Sequence, residues 1–349
     1  MLTLPQALDR LLSRHYTFQT PGAMVLVAKG DEVIYSRGAG LANLETGAAI
    51  TPETTFRMAS VSKQFTAMCV HLLAQQQKLG LSDKLSVYFP ELTHFKNIQL
   101  LHLLNHTSGL PDFEEFIPEN QTTQLSDEDV LRITAAQEST LFCPGTQYRY
   151  SNTAFILLGL LVERVTRINY AIFLQENIFQ PLQMHHSILY GAGAAIPNRA
   201  LGYSRDAAGQ FILSDQNVGT ATCGDGCIYT SAQDFLKWQR ALSNSPLFNI
   251  NNALGSYPAS IKADRKWFYS MGWFMATYGS GHPELFHSGD TSGFTNLVIR
   301  LPQHNVLIAC FSNIAHNHTF LKDLLQELKQ FPEFSPRSEL VHHLQELTR

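Results

Sequence analysis

Ser60-Val61-Ser62-Lys63 sets a hydroxyl and a primary amine three residues apart, where a short strand-like run, Phe56 to Met58, gives way to a long apolar helix pattern. On a helix, positions i and i+3 lie on one face. A serine hydroxyl is a poor nucleophile until a neighbour removes its proton, and a lysine that is close, partly desolvated and lowered in pKa can do so. The spacing therefore describes an activated nucleophile. A Ser-x-x-Lys match arises by chance about once in a chain of this size, so its context decides its meaning. The helix that follows, Val61 to about Gln77, is apolar on several faces (Phe65, Met68, Val70, Leu72, Leu73), as a buried element would be. Such a helix anchors the Ser60 end deep in the molecule.

Two later segments complete a constellation. Tyr150-Ser151-Asn152 follows Pro144-Gly145 and directly precedes an apolar helix pattern, Thr153 to Val165. A tyrosine and an asparagine two apart on an extended turn can point the same way, one offering a phenol for proton transfer and the other an amide for a substrate carbonyl or amide. His287-Ser288-Gly289 lies in a strand pattern, where glycine permits close backbone approach to a ligand and the strand edge can bind a peptide-like substrate.

These three segments, in this order, resemble the serine penicillin-recognising enzymes, in the branch that holds class C beta-lactamases, DD-peptidases, esterases and D-amino-acid peptidases. The resemblance covers roughly Pro21 to Phe311. It also includes Leu103-Leu104-Asn105-His106-Thr107-Ser108-Gly109-Leu110 and Gly226-Cys227-Ile228-Tyr229-Thr230-Ser231. It implies a beta-lactamase/transpeptidase-like α/β (α+β) fold and an acyl-enzyme mechanism. By the same resemblance Ser60 is the nucleophile, Lys63 and Tyr150 share the proton traffic, and Asn152 binds the substrate amide. The oxyanion hole would come from the backbone N–H groups of Ser60 and of Asp290, just past His287, Ser288 and Gly289. Lysine opens the third segment in the beta-lactamases, whereas this chain has His287, which is more typical of the peptidase and esterase relatives.

The expected activity is that of a serine hydrolase on an amide or ester, of DD-peptidase, D-amino-acid peptidase or esterase type. A true class C-like beta-lactamase is the alternative, and a catalytically inactive binding protein on the same fold is the reading from another class. An unperturbed histidine has a pKa of about 6.5, so His287 is expected to be mostly neutral at pH 7 and to gain a carboxylate-binding charge as pH falls. The competing reading is a satisfied strand histidine. His106 reads as a loop-fixing hydrogen bonder.

A net charge of -4, from 25 basic and 29 acidic residues, offers no polybasic surface, so nucleic acid is not an expected partner; a small molecule or short peptide is. No cofactor or metal is expected, since His185-His186 and His342-His343 are adjacent rather than spaced along one helix face. No apolar run is long enough to span a bilayer. Met1 to Leu12 shows an amphipathic helix pattern with Asp9 and Arg10 in place of a secretory signal, which points to the cytoplasm, with the periplasm as the alternative for a processed form. The five scattered cysteines suit reduced thiols there. Cys223-Gly-Asp-Gly-Cys227 is their only close pair. Its spacing and the absence of a partner pair argue against zinc, leaving a structural role or a redox-sensitive bridge.

Strand patterns at Ala23 to Ala28 and Glu32 to Tyr35 flank a Gly30-Asp31 turn, and others recur at Phe268 to Met275, Leu285 to Ser288, Thr295 to Arg300 and Val306 to Phe311. Helix patterns lie between, at Gln99 to Leu104, Asp127 to Ala136 and Thr153 to Val165, and a last amphipathic one runs from His318 to Phe331. The expected organisation is an antiparallel sheet flanked by helices, from residues 1–80 and 240–331, interrupted by a mainly helical domain, 81–239. Residues 332–349 read as a short helical appendage.

Overall fold

Gly30, at φ 57, turns β1 (Ala23–Lys29) back into β2 (Glu32–Ala39), and this hairpin pairs with the last strand of the chain rather than with its sequence neighbours. The computed structural model describes residues 2–191, 195–245, 248–250, 253–254, 258–261, 266–277 and 283–348 of the 349. The main sheet also contains β6 (Ala259–Ser260), β7 (Trp267–Ser270), β8 (Trp273–Ala276), β9 (Glu284–Thr291), β10 (Phe294–Leu301) and β11 (Val306–Ser312). Its eight strands run in the order β6-β7-β8-β9-β10-β11-β1-β2, antiparallel throughout. Every residue of β10 and β11 is buried, as only strands covered on both faces can be.

Helices supply that cover. The N-terminal α1 (Leu4–His15) begins at a Thr3–Gln6 capping box with a proline in its first turn, and its Leu4, Leu8, Leu11 and Leu12 stripe is buried. It packs on β2 and on the C-terminal helix, here numbered α6 (His318–Leu328). Helix α5 (Ala232–Asn244) packs on β1 and β11. The expected boundary near residue 240 falls inside this one helix.

A three-stranded sheet joins the two halves: β3 (Thr55–Arg57) and β4 (Ile188–Leu189) flank β5 (Ile228–Ser231). Beyond it lie the mainly helical residues, including α3 (Asp127–Ala135) and the buried α4 (Asn152–Thr166). The central helix α2 (Lys63–Gln75) packs on α4. Among the described residues no helix is long and apolar enough to cross a membrane.

Three expectations are revised. Phe268 to Met275 is two strands joined at Met271-Gly272, both with positive φ, as the tight turn of a two-residue hairpin requires. The α-helix expected from Val61 begins at Lys63, and Ser60 lies in a 3-10 turn over Ala59–Ser62 that opens on the left-handed Ala59 at φ 49. The C-terminal segment has the short helical turns expected of it, at Pro332–Phe334, Glu339–His342 and Leu344–Leu347, but it is docked as a strap rather than appended. Leu340, Val341 and Leu344 are buried, and the backbone N–H groups of Arg337 and Ser338 donate to the Glu284 carboxylate on β9. Met1 and Arg349 lie outside the described residues.

Gly272 presses the β7–β8 turn onto the start of α2: a Cβ there would stand 2.6 Å from the Gln64 nitrogen and 2.8 Å from the Lys63 carbonyl carbon. With φ at +78 as well, Gly272→Ala is strained in two ways. We expect a loss of about 1–3 kcal/mol of stability, read as a lower midpoint in urea unfolding with an unchanged m-value; an unaltered midpoint would show that the turn yields freely.

Candidate active site

The 3-10 turn stacks residues i and i+3 over one another, and the Ser60 hydroxyl and the Lys63 amine meet as a result. Lys63 Nζ lies 3.0 Å from Ser60 Oγ, 2.8 Å from Asn152 Oδ1 and 3.1 Å from the Asp225 carbonyl oxygen. The lysine is fully buried, and burial lowers its pKa to about 8 against the opposing pull of Asp225, Asp112 and Glu114. A neutral amine has two N–H bonds and one lone pair. The Asn152 and Asp225 oxygens accept those two hydrogens, and the lone pair is left for the Ser60 O–H.

Tyr150 completes the group. Its ring lies 4.9 Å from Lys63 Nζ, and its hydroxyl faces the Ser60 side with no hydrogen-bond partner within bonding geometry. Burial, with further contributions from Asp225, Asp112 and Glu114, holds the phenol well above its ordinary pKa. A phenol held so high keeps its proton at neutral pH. The ring is set by His106 at 4.2 Å between centroids and by Phe274 stacked at 6.3 Å. His106 Nδ1 accepts from the Ser151 N–H at 3.2 Å and burial keeps the ring neutral, which matches its expected loop-fixing part. Ser151 also caps α4, so Asn152 is presented from the first helical residue.

Gly289 decides the third side. A Cβ there would lie 2.3 Å from the Met58 carbonyl oxygen and 3.3 Å from the Ala59 Cβ, so only glycine lets β9 lie flat against the chain entering Ser60. That contact brings the Asp290 backbone beside the Ser60 turn, and Asp290 and Ser60 line one small cleft of about 90 Å³. Ser288 is buried, while the Asp290 side chain points outward, 3.7 Å from His318 Nε2.

His287 differs from expectation. Its ring is fully buried, Nε2 lies 3.0 Å from the Tyr269 hydroxyl, and Nδ1 lies 2.6 Å from the Ser288 carbonyl oxygen. Burial drives its pKa down to about 3. The ring therefore stays neutral where an exposed histidine would charge, and it positions Tyr269 and β9.

The acidic groups were not anticipated. Asp112 Oδ2 accepts from the Asn152 N–H at 2.7 Å, and Glu114 Oε1 accepts from Asn152 Nδ2 at 3.2 Å. Glu114 is exposed along one edge, yet protein crowds its carboxyl, and with Asp112 and Asp225 close by its pKa rises to about 7. Asp225 is raised too, chiefly by burial, and its Oδ1 has no partner. Asp112 and Glu114 lie just past the Ser108-Gly109-Leu110 stretch, and an acidic turn after a loop reads as solvated surface until its fold is known. Among the described residues no cluster of three or more His, Cys, Asp or Glu could hold a metal ion.

Comparison with known proteins places this arrangement. The family model described as Beta-lactamase matches residues 8–330. This chain belongs to the beta-lactamase family. It is 26% identical over 304 residues to penicillin-binding protein 4* of Bacillus subtilis, covering 83% of this chain and 67% of that protein. The crystal structure of a penicillin-binding protein from Bacillus halodurans superposes with a TM-score of 0.80 at 25% identity, over 94% of this chain and all of that one. The D-amino acid amidase of Ochrobactrum anthropi, solved with D-phenylalanine, shares the fold at a TM-score of 0.76 and 22% identity, over 93% and 98% of the two chains. At family level the chain is a serine-hydrolase-type enzyme of the acyl-enzyme class.

Two measurements follow from the site. A Lys63 amine that takes the Ser60 proton can do so only when unprotonated, and on that role kcat/KM for an uncharged ester should climb with pH through about 8 and then level. Lys63→Arg, which cannot shed its proton, should lose activity at every pH. Because His287 remains neutral far below its ordinary range, the ratio of anionic to neutral ester turnover in Glu114→Gln, which removes the cleft carboxylate that titrates near pH 7, should stay flat across pH 5.5 to 7.5, about one unit on either side of the usual histidine pKa. A ratio rising toward acid would show that the ring charges.

Proposed function

We propose that the chain is a serine amidohydrolase that forms an acyl-enzyme on Ser60, with amides or short peptides of D-amino acids carrying a free α-ammonium as its substrate class. The 3.0 Å approach of the Lys63 amine to Ser60 Oγ supports the chemistry. Ser60 Oγ attacks the carbonyl carbon as its proton passes to Lys63 Nζ. The oxyanion meets the backbone N–H groups of Ser60 and Asp290. As the C–N bond breaks, the departing amine takes a proton from Lys63, directly or through the Tyr150 hydroxyl, and water repeats the sequence on the ester.

The charge of the cleft supports the substrate class. The third segment carries no cation, since His287 is buried and neutral. Glu114 stands at the mouth beside Asn152 and is ionised above about pH 7. A substrate ammonium gains from such a carboxylate, whereas the carboxylate of a beta-lactam meets like charge. The fold shared with the D-amino acid amidase agrees with this reading.

Incubation with a slowly hydrolysed beta-lactam or ester should add the acyl mass to the peptide holding Ser60, and Ser60→Ala should abolish both adduct and turnover with the fold intact. Full turnover in Ser60→Ala would refute the mechanism. For the substrate class, Glu114→Gln keeps an oxygen for Asn152 Nδ2 but loses the charge. Its kcat/KM should fall about 10- to 100-fold on a D-amino-acid amide, the worth of a hydrogen bond to a charged group, and change little on the N-acetylated amide. Equal losses on both would remove the ammonium from the account.

A further inference from the structure

Cys223 and Cys227 bracket a tight turn over Gly224, Asp225 and Gly226, and none of the chemistry above uses them. The turn is held at its first two residues. A Cβ on Gly224 would stand 2.2 Å from the Phe155 carbonyl oxygen of α4, so the backbone there touches the helix. The Gly224 carbonyl accepts from Thr66 Oγ1 at 2.6 Å, and the Asp225 carbonyl accepts from Lys63 Nζ at 3.1 Å. The segment between the two thiols therefore supplies one of the two oxygens that orient the Lys63 amine.

The thiols are unlike. Cys227 is fully buried and its Sγ lies 3.5 Å from Nη2 of Arg57, itself buried. The other Arg57 hydrogen-bond partners are the Gln216 side-chain oxygen at 3.4 Å and the Thr220 carbonyl; among the described residues no carboxylate hydrogen-bonds this buried guanidinium, and its Nε has no partner. A buried cation favours the thiolate of the sulfur it touches, and the Asp225 carboxylate, which acts through space on both Arg57 and Cys227, opposes this in part. Cys223 is half-buried, its Sγ 3.5 Å from the Ala221 carbonyl oxygen. The Cys223 thiol, then the Arg57 charge, lower the Cys227 thiol against its burial, its Sγ donating to the Thr220 carbonyl at 3.4 Å, while Cys223 is pushed up. The cleft that holds Ser60 is also lined by Arg57, Thr222, Asp225 and Gly226, giving a small oxidant a way in.

We propose that Cys223 and Cys227 form a redox-active pair, oxidised by a hydroperoxide to a disulfide that alters how the intervening turn holds Lys63. The Cys227 thiolate attacks one peroxide oxygen, the O–O bond breaks, and hydroxide leaves with the Cys223 proton as water. The resulting Cys227 sulfenic acid is attacked by the Cys223 thiolate; the S–O bond breaks and hydroxide leaves. Two electrons pass from the sulfurs to the peroxide. Closing the S–S bond draws the two Sγ atoms to about 2.05 Å, so the Asp225 carbonyl, midway along the loop, turns relative to Nζ. Dithiol reduction restores the resting site.

The test uses the full chain and hydrogen peroxide. After treatment, the unreduced tryptic peptide containing both cysteines should be lighter by two hydrogens and resist alkylation, and dithiothreitol should reverse both changes. In parallel, kcat/KM for a neutral ester should fall at least threefold, its Lys63 limb moving in pH, and recover with reduction. Cys223→Ser and Cys227→Ser, each active before treatment, should lose the peroxide response. Because the readout is the ratio of oxidised to reduced enzyme on any turned-over ester, it stands apart from the ammonium preference. Two freely alkylated thiols after peroxide, a crosslink through exposed Cys143, or a disulfide that leaves rate and pH limb untouched would each overturn the proposal.

Discussion

Everything in the site depends on keeping one lysine amine dry and directed. Lys63 has no exposure, so its charged form loses hydration that the three surrounding oxygens replace only in part. The pKa falls to about 8, within reach of neutral pH, and the surrounding carboxylates keep it from falling further. Either extreme would disable the group: a fully hydrated amine stays protonated, and one buried without acceptors has nothing to orient its lone pair.

That requirement explains much of the scaffold around it. The apolar helix α2 removes water from below, α4 brings Asn152 from the side, and the turn before β5 brings the Asp225 carbonyl. Glycines sit where backbones must touch. Gly272 and Gly289 allow the β7–β8 turn and strand β9 to lie against the two ends of the Ser60–Lys63 segment, and a methyl group at either would separate sheet from nucleophile. A neutral His287 on β9 serves the same end, holding Tyr269 in the aromatic group around Tyr150 without placing a second cation beside Lys63.

The acidic residues work in the opposite direction. Beyond the effect of burial, Asp225 raises Asp112, both raise Glu114, and all three raise Tyr150 while supporting the charged form of Lys63. Such coupled groups titrate as a set, and a proton gained by one changes the others. The same charges give the cleft its electrostatic sign, so the groups that tune the base also bear on which substrates are attracted.

The sequence by itself determined what local pattern and spacing can carry. The Gly30-Asp31 hairpin, the apolar helices after Ser60 and Asn152, the late run of strands and the order of the three motif segments were all legible, because each depends on residues close together in the chain. Even the Ser60–Lys63 contact is local. What only the tertiary structure decided involves distance across the chain. The Met271-Gly272 turn was hidden inside one hydrophobic run, since aromatic residues flank it on both sides and periodicity does not mark where a buried strand reverses. His287 looked titratable because its isolated pKa is known, but its neutrality comes from Tyr269, Phe274 and complete burial. Asp112, Glu114 and Asp225 read as polar loop residues, yet they meet at Asn152 and Lys63 because α2, α4 and the β5 turn converge there. Charge and pKa are properties of surroundings, and those are assembled only when the chain has folded.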